Sequence, residues 1–299
     1  MLLYKYRNWP AKGQNWTKAI LESGKIWASA PEDFNDPYDG KFDVFSTKFQ
    51  ADLDEVIATM HTMSFYMGYL SEASDRLPRD EKARLLKKYE SFHSVNEAFN
   101  FVKSYLKSKG IDSSVLTTGK EMIAKIKNQT SNYGIFCMAE EYNNILMWSH
   151  YGDQHKGIAL GFEIDDQMLD EKTRPYCRKV EYTDGFPTLS PDDVKMTTSF
   201  KFGVNGITKE LRFDDEGLIA QKPLYTKAKC WEYEKEWRII YDRPGSQSFP
   251  GELKEIVFGC RATSETISEV KKVVRKHIRN NVRYHYLRMA SDAFSLSYV

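Results

Sequence analysis

The chain has 299 residues, enough for one large domain or two of ordinary size. Its 43 lysines and arginines nearly balance its 42 aspartates and glutamates, so the net charge of +1 argues against a protein built as a whole to bind nucleic acid or a membrane surface. Hydrophobic residues make up 41% of the chain, which is sufficient for a folded core.

The N-terminal segment and the cysteines indicate a cytoplasmic protein. Residues 2–7 are too short and too polar for a signal peptide, and no apolar run approaches the ~18 residues that a membrane span requires. The four cysteines are scattered without a CxxC pair, a spacing that does not favour zinc. We therefore predict reduced, mostly buried thiols, no bound metal and no membrane contact.

Periodicity and turn residues divide the chain into strands at both ends and helices in the middle. Between about residues 50 and 132, apolar residues recur every three or four positions, as in Leu53, Val56, Ile57 and Met60, which is typical of helices. The other predicted elements are, in chain order, a strand at 2–7, a helix capped by Asn15 or Thr17 and ended by Gly24, a strand at 25–30, strands at 134–139 and 157–164 flanking a helix at 145–151 capped by Asn144, a strand at 179–182, a helix within 192–220, strands at 231–241 and 253–258, a helix at 264–279, and strands at 283–289 and 294–299.

Strands that enclose a helical block indicate one α+β domain, residues 1–299, with a helical insertion at 50–132. No internal repeat or low-complexity linker interrupts it. The strands on either side of the block would then have to meet in one sheet.

The segment Trp231–Tyr241 brings acidic side chains close together. If it is a strand, Glu232, Glu234, Glu236 and Arg238 share one face. A half-buried strand with a solvated charged face fits the pattern equally well. Paired carboxylates can also act as an acid and a base, hold a metal, or stabilise a cationic sugar. The chain lacks GxxxxGK[ST], GxGxxG and HExxH motifs, which excludes the common nucleoside triphosphatases, Rossmann dehydrogenases and zinc peptidases.

Three further segments carry candidates for a binding site. Arg7 is either a surface residue that forms an ion pair or a binding residue whose guanidinium holds a phosphate or carboxylate through two hydrogen bonds. The loop Phe34–Asp39 is either an ordinary turn or the wall and lid of a site for a ligand ring. His150 is either a packed core histidine, which its helical spacing favours, or a contact to substrate.

Lysines and arginines cluster near the C-terminus. A solvated helix face is the simplest interpretation, and a phosphate-bearing partner such as RNA or DNA is the alternative. The cluster comprises Lys271, Lys272, Arg275, Lys276, His277, Arg279, Arg283 and Arg288.

Four motifs, in this order, resemble the bacterial family DUF2971, a domain of unknown function. They are Leu3–Arg7 (LYKYR), Phe34–Asp39 (FNDPYD), Met147–Tyr151 (MWSHY) followed by Lys156-Gly157, and Trp231–Arg238 (WEYEKEWR). They span most of the chain except the helical block. This resemblance implies no particular activity.

A second resemblance, to the ADP-ribosyltransferase superfamily, implies a fold and a reaction. That superfamily carries an arginine at the end of the first strand, a serine in the second and a Glu-x-Glu on a later strand, which here correspond to Arg7, Ser29 and Glu234-Lys235-Glu236. The second motif usually reads Ser-Thr-Ser, whereas this chain has Ala28-Ser29-Ala30. The resemblance implies a split β-sandwich that binds NAD in the cleft between two small sheets and tolerates a helical insertion.

The same resemblance implies roles in breaking the bond between nicotinamide and ribose. Glu236 would stabilise the positive charge that develops on the ribose, and Glu234 would orient or deprotonate the acceptor. Arg7 would bind the pyrophosphate, and Ser29 would hold Glu236 or the nicotinamide amide. The remaining cofactor-binding candidates are Phe34, Asn35 and Tyr38, of which Phe34 or Tyr38 would stack on the nicotinamide ring, and the acceptor-side candidates are Trp231, Tyr233 and His150.

The expected function is therefore that of an NAD-dependent ADP-ribosyltransferase-like enzyme. It would transfer ADP-ribose to a protein, a nucleic acid or water, as a toxin or phage-defence effector with a neutralising or regulatory partner. One alternative is a metal-dependent nuclease or phosphodiesterase in which the carboxylates, with Asp36 or Asp39, hold magnesium. The other is a non-catalytic nucleotide sensor or adaptor, which would bind without turnover.

Overall fold

The computed structural model describes residues 1–10, 13–40, 47–70, 77–110, 130–169, 177–185, 196–203, 206–213 and 222–298, together with residues 121, 123, 124, 128 and 187. Backbone contacts divide the chain into two compact units. The first comprises residues 1–41, 130–186 and 223–299, and the second residues 42–129 and 187–222.

Helices and a mixed sheet are both present, which confirms the predicted α+β class. The helices are α1 (Trp16–Ser23), α2 (Thr47–Phe65), α3 (Arg79–Tyr89), α4 (Val95–Ser108), α5 (Ile145–His150) and α6 (Ser264–His277). The strands are β1 (Leu2–Arg7), β2 (Lys25–Ala28), β3 (Gly134–Ala139), β4 (Ile158–Ile164), β5 (Cys177–Lys179), β6 (Glu181–Thr183), β7 (Met196–Gly203), β8 (Gly206–Phe213), β9 (Thr226–Ala228), β10 (Glu236–Tyr241), β11 (Gly245–Ser248), β12 (Gly251–Phe258), β13 (Arg283–Met289) and β14 (Leu296–Tyr298).

The first unit is built on an eight-stranded sheet with the order β14-β13-β12-β4-β1-β3-β10-β5. The strands before and after the helical block therefore meet in one sheet, as predicted. Neighbours are antiparallel except β12 and β13. β1 pairs with β4 along its whole length, but it pairs with β3 at one position, Tyr4 opposite Ala139. The sheet is thus nearly divided between β1 and β3.

Alternating side chains of β1 point into two apolar clusters, one on each face of the sheet. Leu3 lies in the larger cluster, where α1 and α6 cover the sheet with Leu21, Val270 and Val273. Tyr4 and Tyr6 lie in the other cluster with Met147 and Trp148 of α5, Val257 and Leu287. The short helix α5 is therefore fixed to the sheet by two large side chains.

Polar side chains and a glycine define the helix ends as the sequence predicts. The side chain of Asn15 accepts a hydrogen bond from the Lys18 amide, and Gly24 ends α1 in the left-handed conformation, with φ of 66°. Asn144 accepts from the amides of Leu146 and Met147 at the start of α5.

Two predicted elements were wrong. The strand predicted at 231–241 begins only at Glu236, because residues 229–234 form a 3-10 helix that ends where Lys235 takes a left-handed conformation, with φ of 44°. In the range 192–220, which was predicted to contain a helix, the described residues 196–203 and 206–213 form the antiparallel pair β7 and β8 instead, and the other positions lie outside the described residues. Thr197, Thr198 and Phe200 favour strands, and this local preference outweighs the helical spacing.

The second unit contains α2, α3 and α4, which lie within the block predicted to be helical, together with β7 and β8. Its apolar cluster contains Phe65 of α2, Leu85 of α3, and Val102 and Leu106 of α4. Among the helices with described residues, none has the length and apolar character needed to cross a membrane.

Gly157 sits where β4 approaches the end of β1 too closely for a side chain. A Cβ atom there would lie 2.1 Å from the carbonyl oxygen of Arg7. We expect Gly157→Ala to lower the free energy of unfolding by about 1–3 kcal/mol, because the strands must move apart. Gly185, which has nothing within 4 Å of its Cβ position, is the control. Equal urea midpoints for Gly157→Ala and Gly185→Ala would contradict the prediction.

Candidate functional site

A cavity of about 440 Å³ lies in the first unit where β1 and β3 separate. Residues from both strands line it, and the chain after β2 and the segment 227–236 complete its walls. Where β1 no longer pairs with β3, Ser29 pairs with β3 in its place. The backbone of Ser29 exchanges hydrogen bonds of 2.9 and 2.8 Å with Ile135. The residues that line the cavity include Lys5, Arg7, Ser29, Phe34, Asn35, Asp39, Cys137, His150, Tyr151, Lys227, Glu234 and Glu236.

Arg238 lies fully buried beneath this cavity and joins two acidic residues. Its guanidinium contacts both carboxylate oxygens of Asp39, at 2.8 and 2.6 Å, and both oxygens of Glu236, at 2.7 and 3.0 Å. It also donates to the carbonyl oxygen of Leu224 at 2.7 Å. The planar fork of arginine suits this double bidentate arrangement, which a lysine could not reproduce.

Lys227 is the second buried cation of the cluster. Its ammonium donates to Glu234 at 2.6 Å and to Glu236 at 3.0 Å, and it lies 3.6 Å from Asp39. The ring of Trp231 covers it, with 5.1 Å between the ammonium and the ring centroid. Three carboxylates are thus held by two cations, which leaves one negative charge in excess when all five groups are ionised.

Glu234 has the fewest compensating contacts of the three carboxylates, because Asp39 and Glu236 also contact Arg238. Burial raises the pKa of Glu234, and repulsion from Glu236 adds to the effect, although Lys227 opposes it. Burial also opposes the ionised form of Glu236, but Arg238 and Lys227 hold its pKa well below the usual value. Glu236 therefore stays ionised, whereas Glu234 changes charge most readily. Glu234 also accepts a hydrogen bond from the hydroxyl of Tyr151 at 2.8 Å.

Two further cations line the cavity, and neither forms an ion pair among the described residues, although Glu236 and Glu234 favour the charged form of Lys5 from a longer distance. Burial lowers the pKa of the Arg7 guanidinium, and its buried Nε has no hydrogen-bond partner. Burial also lowers the pKa of Lys5, whose ammonium lies 5.1 Å from the centroid of the Phe136 ring. Because uncompensated buried cations are costly, Lys5 and Arg7 together mark a place for an anion.

Most of the candidate residues from the sequence line this one cavity. They are Arg7, Ser29, Phe34, Asn35, His150, Glu234 and Glu236. Phe34 stacks on buried Arg238, with 5.3 Å between the guanidinium and the ring centroid, so one face of its ring is already covered. Asn35 lines the cavity together with Tyr151, whose pKa is raised by burial and by Glu234. His150 is exposed and lies beside the ring of Tyr233.

Three predicted site residues do not line the cavity. Tyr38 is 66% exposed and points away, because its amide donates to the Asp36 side chain in a tight turn. Trp231 and Tyr233 lie in the 3-10 helix rather than on a strand, so their rings pack on Lys227 and beside His150. The shared face predicted for the acidic segment is likewise wrong for Glu232, which is exposed.

The sequence reasoning missed Lys5, Cys137, Tyr151 and Lys227. Cys137 lines the cavity as a protonated thiol, because burial and Glu236 raise its pKa. Lys227 was the most serious omission, since it contacts all three carboxylates. A signal for it existed, because buried carboxylates require cations and Lys227 is among the nearest lysines in sequence to Glu234 and Glu236.

Comparison with known proteins adds a family but no activity. Residues 147–239 match the family model described as "Protein of unknown function (DUF2971)", which confirms the predicted family resemblance. Neither the curated proteins nor the solved structures contain a match to this chain. The matched segment includes Met147–His150 of α5, Lys227 and both cavity glutamates.

Proposed function

We propose that this chain, whose residues 147–239 match the DUF2971 family model, cleaves the bond between nicotinamide and ribose in NAD and transfers ADP-ribose to a macromolecule or to water. One observation carries the proposal. Arg7, Ser29, Glu234 and Glu236, which come from three distant segments, line a single cavity. In the resemblance to the ADP-ribosyltransferase superfamily, these residues correspond to the motif residues and have the same order along the chain.

The division of the sheet supports a split β-sandwich as the core fold. β1 and β3 share one pairing position, and the cavity opens between them. In the ADP-ribosyltransferase superfamily, NAD binds in a cleft between two small sheets. A volume of about 440 Å³ lies within the ~300–1,000 Å³ of typical ligand sites.

The charges around the cavity fit NAD at two points. The unpaired cations Lys5 and Arg7 offer a site for the pyrophosphate. The less compensated negative charge of Glu234 offers stabilisation to the ribose as the nicotinamide leaves, because positive charge then develops at the anomeric carbon. The bonding electrons depart with the neutral nicotinamide, and the nucleophile, an acceptor group or water, bonds to that carbon and loses a proton.

The contacts of the two glutamates suggest a division of labour. Glu236, first predicted as the ribose-stabilising residue, is neutralised by Arg238 and Lys227 and holds Lys227 in place. Glu234 pairs with Lys227 but not with Arg238, so its charge is less compensated than that of Glu236, and we assign it the stabilising role. Protonation of Glu234 removes this charge. We therefore expect turnover to fall as the pH drops through the pKa of Glu234, which lies above the ~4.3 of an ordinary glutamate.

The site supports a metal-dependent nuclease less well. A magnesium ion would have to bind among Asp39, Glu234 and Glu236, and the ammonium of Lys227 already lies 2.6–3.6 Å from their oxygens. Among the described residues, no three histidine, cysteine, aspartate or glutamate side chains are arranged so that they could hold a metal ion. The sensor alternative predicts the same cavity and the same NAD binding, but no turnover.

Nicotinamide release from NAD, followed by chromatography, tests the proposal. We expect Glu234→Gln to lower the rate by about 10²–10³-fold, because the amide keeps the hydrogen bond from Tyr151 but lacks the charge. Glu232→Gln, an exposed glutamate two residues away, is the matched control and should retain full activity. Binding of NAD without release would favour the sensor, and chelator-sensitive cleavage of nucleic acid without release would favour the nuclease.

A further inference from the structure

The C-terminal part of the first unit concentrates positive charge in an otherwise neutral chain. Between Lys271 and Ser291 there are seven lysines and arginines and no aspartate or glutamate. Basic residues in the last turn of a helix complement its dipole, which explains Arg275 and Lys276. That explanation does not extend to the cations that continue beyond α6 into β13.

The cations of α6 lie on the side of the helix opposite its buried stripe. Val270, Val273 and Val274 are buried against the sheet. With 3.6 residues per turn, Lys272, Arg275 and Lys276 point the other way, and all three are exposed. None of the three forms an ion pair among the described residues.

β13 extends the same surface. Tyr284, Tyr286 and Arg288 alternate along the strand and therefore share a face. The ammonium of Lys271 lies over both tyrosine rings, 5.2 and 5.3 Å from their centroids, which joins the helix to the strand. The rings also stack on Phe258 beneath, with 6.2 and 5.4 Å between centroids.

We propose that this surface, which we call the basic face (Lys271, Lys272, Arg275, Lys276 and Arg288), binds the phosphate backbone of nucleic acid. The tyrosine rings are held between Lys271 and Phe258, so they are not free to stack on bases. Binding therefore depends on charge and not on base sequence. The inference is independent of the reaction proposed for the cavity.

An anionic membrane surface suits the basic face less well. A helix that binds membranes presents an apolar face to the lipid beside its cations. In α6 that face is occupied, because Val270, Val273 and Val274 are buried in the core of the sheet. Glu265 is exposed near the start of the helix, but the exposed side of its C-terminal half offers only the cations Lys272, Arg275 and Lys276 as charged groups, which match a chain of phosphates.

Fluorescence anisotropy with two labelled DNA duplexes of unrelated sequence tests the proposal. We expect both duplexes to bind alike, with affinity falling about a hundredfold between ~50 and ~200 mM salt if about four phosphates are contacted. The triple variant Lys272→Ala, Arg275→Ala, Lys276→Ala should reduce the slope of log K against log salt by about three. The residues are exposed, so the variant should unfold at the temperature of the wild type.

Two controls separate this surface from general charge. Replacing the exposed Lys25, Lys156 and Arg243 by alanine removes the same charge elsewhere and should leave binding unchanged. The charge-conserving variant Lys272→Arg, Arg275→Lys, Lys276→Arg should bind as the wild type does. Absence of binding at low salt, equal loss in the two alanine variants, or stronger retention on phosphatidylserine vesicles than on DNA would each overturn the proposal.

Discussion

Replacement of Arg238 by methionine is expected to lower the free energy of unfolding by about 3–5 kcal/mol. Methionine fills part of the space but leaves Asp39 and Glu236 buried with only Lys227 to compensate them. Urea denaturation at neutral pH measures the change. The exposed pair of Lys179 and Glu140, 2.7 Å apart, is the control, and Lys179→Met should cost less than ~1 kcal/mol.

The penalty in Arg238→Met should depend on pH in a defined direction. In the wild type, Arg238 and Lys227 depress the pKa of Glu236, so its stabilising contribution is present above the unfolded pKa and is lost as pH falls through the folded pKa. Without Arg238, burial raises the pKa of the same carboxyl above its unfolded value. Protonation of Glu236 then removes the unfavourable buried charge from the variant. The difference in free energy of unfolding between the wild type and the variant should therefore shrink as the pH falls from about 7 to about 4.5. A deficit that is constant or grows on acidification would contradict this account of the cluster.

Trp148→Ala is the second substitution for which we expect a large loss, about 3–5 kcal/mol. Trp148 is fully buried, packs edge-to-face on Tyr6 at 5.0 Å and donates to the carbonyl oxygen of Tyr142 at 2.7 Å. Removing it leaves a large void between α5 and the sheet and an unpaired carbonyl group. Thermal and urea unfolding measure the effect.

Two variants make the interpretation of Trp148→Ala specific. Trp148→Phe keeps most of the packing but loses the indole N–H, so its loss should be intermediate. Trp16→Ala removes a tryptophan that is 66% exposed on α1 and should change stability little. Similar losses for Trp16→Ala and Trp148→Ala would mean that α5 does not depend on the contact with Tyr6.

The parts of the fold that sequence could predict are those that local chemistry determines. The side chains of Asn15 and Asn144 accept hydrogen bonds from free amides at the starts of α1 and α5, as predicted. Gly24 ends α1, also as predicted. Strands such as Gly134–Ala139 are continuous apolar runs, and they were predicted with the observed bounds. Lys235 was the opposite case, because no residue-level preference predicts a lysine with positive φ, and the missed turn displaced Trp231 and Tyr233 from the cavity.

The candidate site could be predicted only in part, for a physical reason. Arg7, Ser29 and Glu236 were grouped by their order along the chain, and they do line one cavity. The partners with which they form ion pairs depend on which side chains are buried. The alternation of side chains along a strand does not show which of its two faces is buried. The acidic face of the strand was expected to be solvated or reactive, whereas Glu236 and Arg238 are among the most buried side chains of the protein.

Beyond the pair Tyr4–Ala139, the separation of β1 from β3 also leaves main-chain groups of both strands without a partner strand in the described part of the chain. Alternate peptide groups of β1 point away from β4, and beyond Tyr4 they have no strand opposite them among the described residues. On β3, the N–H and C=O of Ile135 bond Ser29, and those of Cys137, two residues on, point to the same side. If the cavity binds the proposed NAD, these amide and carbonyl groups can hydrogen-bond its polar atoms, and no side-chain substitution removes them. Single variants of the lining residues should for this reason weaken binding in steps, without abolishing it.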